Sequence, residues 1–105
     1  MLFRLIREKD LEEVDIYKEA GIDRKLFSKI RCRDDYAPRK GTVLSLALAM
    51  ELSLDEALDL LARAGFTLSR SSRSDLIVEY MISEGRFDLF EVNEALYAFG
   101  LSPLS

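Results

Sequence analysis

Residues 11–30 read LEEVDIYKEAGIDRKLFSKI, and their punctuation predicts two short helices folded around Gly21. Asp10 and Glu13 stand in capping-box spacing, so Asp10 is expected to accept from the first free amides of the leading helix while Glu13 reaches back. Gly21 supplies a left-handed stop, a backbone conformation that a Cβ resists. Asp23 is placed to cap a following helix from Arg24 to Cys32. In the leading helix Leu11, Val14, Tyr17 and Ala20 are expected to turn inward, with Glu12, Glu13, Lys18 and Glu19 outward. In the following one Leu26, Phe27 and Ile30 form the inner stripe and Arg24, Lys25, Ser28, Lys29 and Arg31 the outer face. Two helices joined by a short turn containing Gly make a helix-turn-helix, whose second helix is shaped for a nucleic-acid groove.

Working outward, LFRLIREK at residues 2–9 sets Leu2, Leu5 and Ile6 on one side of a short first helix. Downstream, RDDYAPRKG (residues 33–41) is a polar loop in which Pro38 disfavours helix at Ala37. TVLSLALAMELS follows, too rich in Ala, Leu and Met for a strand, and predicts a buried helix over about residues 42–51. Ser53 and Glu56 then form an S-x-x-E box ahead of Leu54, Ala57, Leu58, Leu61 and Ala62, a fifth helix running to Gly65. FTLSRSSRS is a linker; Ser72 or Ser74 caps a sixth helix containing Leu76, Ile77, Val78, Tyr80, Met81 and Ile82, which stops near Gly85. The run IVEYMI within it is also compatible with a strand. Asp88 and Glu91 repeat the capping-box spacing before Phe90, Val92, Leu96, Tyr97 and Phe99, a final helix ended by Gly100 and Pro103. The expectation is an all-α chain of seven helices.

With 105 residues the chain suits one domain with its own core. No apolar run approaches the roughly 20 residues of a membrane span, and the charged start is not followed by a signal-type apolar segment, so a cytoplasmic protein is expected. Cys32 is the sole cysteine and histidine is absent. That excludes an internal disulfide, a thiolate or imidazole metal site, and the commonest general base. Acidic pairs such as Asp55 with Asp59 follow from caps and surface patterning, and no glycine-rich phosphate loop occurs. Neither an enzyme nor a cofactor or metal site is expected.

The formal charge is −4, but it is unevenly spread. Between Gly21 and Gly41 stand seven cations (Arg24, Lys25, Lys29, Arg31, Arg33, Arg39, Lys40) and three anions (Asp23, Asp34, Asp35), a local charge of +4 that leaves −8 on the remainder. Attraction to phosphate follows the potential within a Debye length of roughly 8–10 Å, so the local sum outweighs the global one.

The order YKEAGIDRKLFSKI, proline-bearing loop, Leu/Ala-rich helix and ELSLDEALDLLARAG resembles the Cro and phage-repressor class of helix-turn-helix domains, often called XRE-like, over residues 1–65. Gly21 matches the turn glycine, Ile22 the apolar residue after it, Asp23 the cap, and Phe27 and Ile30 the buried positions of the recognition helix. The resemblance implies a five-helix bundle, with residues 66–105 as a C-terminal extension of two helices packed on it. It further implies a bacterial or phage DNA-binding regulator that inserts the helix from Arg24 to Cys32 into the major groove of double-stranded DNA. The chain departs from the class at Tyr17, where Ala is usual, and in its amides: there is no Gln and one Asn, Asn93.

On that reading Arg24, Lys25, Ser28 and Lys29 face bases, where Arg or Lys bridges guanine O6 and N7. Arg31, Arg33, Tyr36, Arg39 and Lys40 contact phosphates and set the register. Two other readings stay open: a protein-binding module on the same fold, favoured by the acidic balance, and RNA binding through Tyr36. For the aromatic residues Tyr80, Phe87, Phe90, Tyr97 and Phe99 of the extension two accounts stay open: that they cap the core, and that they pair with a second copy.

Overall fold

A computed structural model describes residues 2–32 and 38–104; the side chains of Phe3, Arg31 and Cys32 lie outside that description. Its elements are α1 (Leu2–Glu8), α2 (Glu13–Glu19), α3 (Arg24–Cys32), α4 (Lys40–Ala49), α5 (Leu54–Arg63), α6 (Arg73–Ser83) and α7 (Leu89–Ala98). Among the described residues all regular structure is helical, IVEYMI included.

The centre of the molecule is α4. All six residues from Val43 to Leu48 are buried, as expected for a helix that is apolar around its whole circumference. Ser45 is the one polar member of that run, and its hydroxyl donates to the Gly41 carbonyl at 2.8 Å. Helices α2, α5 and α7 pack directly on α4, while α6 closes on α5 and α7. Val78, Met81, Ile82, Val92 and Leu96 of the last two helices therefore join Leu46, Leu48, Leu52 and Leu61 in one core. A C-terminal strap completes it: the Leu104 amide donates to Asn93 Oδ1 at 2.9 Å, and a Cβ at Gly41 would overlap the Leu104 carbonyl oxygen.

The helix ends share one device. After α1, α2, α4, α5, α6 and α7 a residue with positive φ turns the chain, and the next amide donates back to a carbonyl five residues earlier, as in Leu11 to Ile6, Ile22 to Tyr17 and Leu52 to Ala47. This is the Schellman geometry, and in most cases the returning residue is apolar and joins the core. At two of the six ends the left-handed residue is not glycine: Asp10 (φ 54°) and Glu51 (φ 52°).

That corrects the expectation for Asp10. It terminates α1 rather than capping α2, whose N-cap is Glu12 with no side-chain cap bond. The inward face of α2 is also rotated from the expected one: Ile16 is 2% exposed and Val14 is 46% exposed. Helix α4 begins two residues earlier than expected, with Arg39 as its N-cap. At α7 the cap is Asp88, accepting from the Phe90 amide at 3.0 Å, but Glu91 turns to Arg86 Nη1 at 2.8 Å instead of closing a box. The Ser53–Glu56 box forms in full, and Ser72 rather than Ser74 caps α6.

Candidate nucleic-acid interface

Residues 20–23 join α2 to α3. Gly21 sits at φ 66°, where a β-carbon would be strained, and Ile22 behind it is buried. Asp23 Oδ1 accepts from the Lys25 amide at 2.9 Å, satisfying one of the free donors that begin α3. Below the helix Phe27 is 3% exposed and its ring meets Tyr17 at 5.5 Å between centroids, tilted by 45°. Leu26 and Ile30 flank it, half-buried against the core. Tyr17 thus supplies part of the surface on which α3 is seated.

At about 100° per residue, Arg24, Ser28, Lys25 and Lys29 span an arc of about 140°, and Leu26, Ile30 and Phe27 occupy the opposite side. All four members of that arc are exposed. Among the described residues no ion pair engages Arg24, Lys25 or Lys29. The arc is therefore open, cationic and held from beneath.

The proposed phosphate contacts are placed less uniformly. Arg39 is exposed at the start of α4. Lys40 has its ammonium 2.7 Å from Oδ2 of Asp75, a residue 6% exposed that also accepts the Ser69 amide at 2.7 Å. Its charge is committed to a buried carboxylate at the first turn of α6, a partner 35 residues away in sequence. Arg31 contributes backbone to α3, its side chain being outside the described residues, as are Arg33 and Tyr36.

The negative charge is organised too. An open groove of about 470 Å³ between α2 and α3 is lined by Glu13, Val14, Tyr17, Arg24, Phe27 and Ser28, so one carboxylate borders the cationic arc. On the other flank of α2, Asp10, Glu12, Asp15, Glu19, Glu51 and Asp88 surround a second groove of about 630 Å³ floored by Leu11, Ile16, Leu48 and Phe87. Helix α2 thus divides a basic side of the molecule from an acidic one. No group of three or more potential metal ligands forms among the described residues, and no described helix is long and apolar enough to cross a membrane. No family model, curated protein or solved structure matches this chain.

Proposed function

We propose that this protein binds double-stranded DNA by laying α3 in the major groove, as a regulator of transcription. The observation that carries the reading is the open arc of Arg24, Lys25, Ser28 and Lys29 on a helix anchored by Phe27. A helix is about 10–12 Å across with its side chains and fits a major groove about 12 Å wide, and the nine residues of α3 run about 13 Å along it. Arg24, Lys25 and Lys29 are donors suited to guanine O6 and N7, and with no Gln on the chain the reading favours guanine over adenine. Arg39, with Arg31, Arg33 and Tyr36, supplies the phosphate contacts; Lys40, bound to Asp75, drops out of that set. The acidic groove beyond α2 repels phosphate and restricts binding to one face.

A salt titration on duplex pools tests this. Binding is expected to weaken steeply with salt; Lys25→Ala with Lys29→Ala, which removes base contacts, lowers affinity and the preference for guanine, whereas Arg39→Ala lowers the magnitude of the log–log slope by about 0.9. Absence of binding even near 50 mM salt, or unchanged affinity in the double variant, overturns it. A second reading has one observation in its favour, the exposed Phe90, Tyr97 and Phe99: a helix-turn-helix module that binds protein. A stable partner of different sequence that is lost on substitution of Phe90, Tyr97 or Phe99, with no duplex binding, would select that reading.

A further inference from the structure

Helix α7 carries a stripe that nothing among the described residues covers. Phe90, Asn93, Glu94 and Tyr97 recur at i, i+3, i+4 and i+7 and, with Pro103, line an open groove of about 500 Å³. Phe90 is 71% and Tyr97 82% exposed, although Val92 and Leu96 on the opposite side of the same helix are fully buried. Two large rings on the outer stripe of a surface helix mark an interaction face. Glu94 between them, with no cation in the stripe, makes it unsuited to phosphate.

We propose that this stripe is the two-fold interface of a homodimer, α7 lying antiparallel against α7 of a second copy. The occupant follows from the stripe's own symmetry. If the helices cross between Asn93 and Glu94, Phe90 faces Tyr97 of the second copy, Asn93 faces Glu94 of the second copy, and the dyad repeats both contacts, the signature of an isologous interface. Asn93 is set up for this. Its Oδ1 accepts the Leu104 amide at 2.9 Å, which fixes the amide orientation and leaves Nδ2 as a donor with no partner among the described residues, matched to the Glu94 carboxylate across the dyad. Parallel pairing would instead set Glu94 against Glu94.

The area is adequate for a weak dimer. Aromatic side chains of roughly 150–250 Å², exposed to the extents above, contribute about 300 Å² from each copy. Asn93, Glu94 and Pro103 bring the exposed area of each side to about 500 Å², an upper limit that puts the total near the ≈1,000 Å² at which specific interfaces begin. Association is then expected at the micromolar level. The inference does not rest on DNA binding, because its test reads mass alone.

Sedimentation equilibrium from about 5 μM to 1 mM spans that regime, and the mass of the wild type is expected to climb from 12.0 kDa toward twice that value. Phe90→Lys and Tyr97→Glu, both at exposed positions, each weaken association at least tenfold with thermal midpoints unchanged. Mixed in equal amounts, the two variants recover it, since the introduced ammonium at 90 meets the introduced carboxylate at 97 while one native Phe90–Tyr97 contact survives. A wild type that stays at monomer mass throughout overturns the proposal. So does undiminished association of either variant alone, or a mixture that stays monomeric.

Discussion

Lys40→Met separates a structural cation from a DNA-binding one. The ammonium sits 2.7 Å from Asp75 Oδ2, with the Lys40 side chain 30% exposed and that of Asp75 8%. At an effective dielectric constant of about 20 the attraction is roughly 6 kcal/mol before desolvation, of which only part is net stability. Removing the lysine leaves a carboxylate that is still buried and still holds the Ser69 amide at the positive end of α6. Breaking a fully buried pair costs about 3–5 kcal/mol. The exposure of Lys40 and the partners Asp75 keeps reduce this to about 2 kcal/mol. Asp75→Asn costs less, about 1 kcal/mol, because the stranded lysine can swing into water whereas the stranded aspartate cannot. The combination therefore costs less than Lys40→Met alone, and the second substitution rescues the first. Urea unfolding of the four proteins reads this directly, with the Lys40→Met midpoint about 1–1.5 M below wild type at unchanged slope. Additive losses, or a Lys40→Met protein within about 0.5 kcal/mol of wild type, would refute the reasoning. If the proposed DNA binding is found, a fall of about 0.9 in its salt slope for Lys40→Met would return the residue to the proposed phosphate contacts.

Two further outcomes follow from the helix ends. Glu51 holds a left-handed conformation that Gly adopts freely, so Glu51→Gly is expected to stabilise by about 0.5–1 kcal/mol and raise the melting temperature by about 3 °C; a lower melting temperature would show that the Glu51 side chain contributes more than its backbone costs. Glu56 is held below its ordinary value of 4.5, first by the Ser53 amide it accepts and then by Lys9 Nζ at 3.2 Å. A carboxylate with a lowered folded pKa contributes stability that is present above its unfolded value and lost as pH falls through the folded one. The stability gap between wild type and Glu56→Gln, followed by urea midpoint, is thus constant down to about pH 5.5 and closes below about 4.5; a gap that widens on acidification contradicts the assignment.

The legible part of this protein is the part governed by neighbours within about four residues along the chain. Asp23, Ser53, Ser72 and Asp88 all cap helices because a short polar side chain can accept a nearby amide whatever the rest of the fold does. The division of α3 into an apolar side and a cationic arc is likewise written in its 3.6-residue period, and the burial of α4 in its unbroken run of apolar residues. Asp10 misled because an aspartate ahead of a helix caps it in most contexts but also tolerates the left-handed turn. Which applies depends on whether Leu11 is drawn back over α1 into the core, as it is here.

Tertiary packing decided the rest. A seven-residue helix such as α2, with apolar residues at 14, 16 and 17, can bury either flank; contact with α4 selected Ile16 and left Val14 outside. The commitment of Lys40 to a carboxylate 35 positions on has no local signature, and neither does the exposure of Phe90 and Tyr97 on a helix whose composition is that of a core element. Side-chain pattern within one turn is an intrinsic property of the chain, set by bonds and sterics that act at short range. Which charge meets which, and which apolar face is left over, are settled only when segments distant in sequence compete for the same limited volume beside α4.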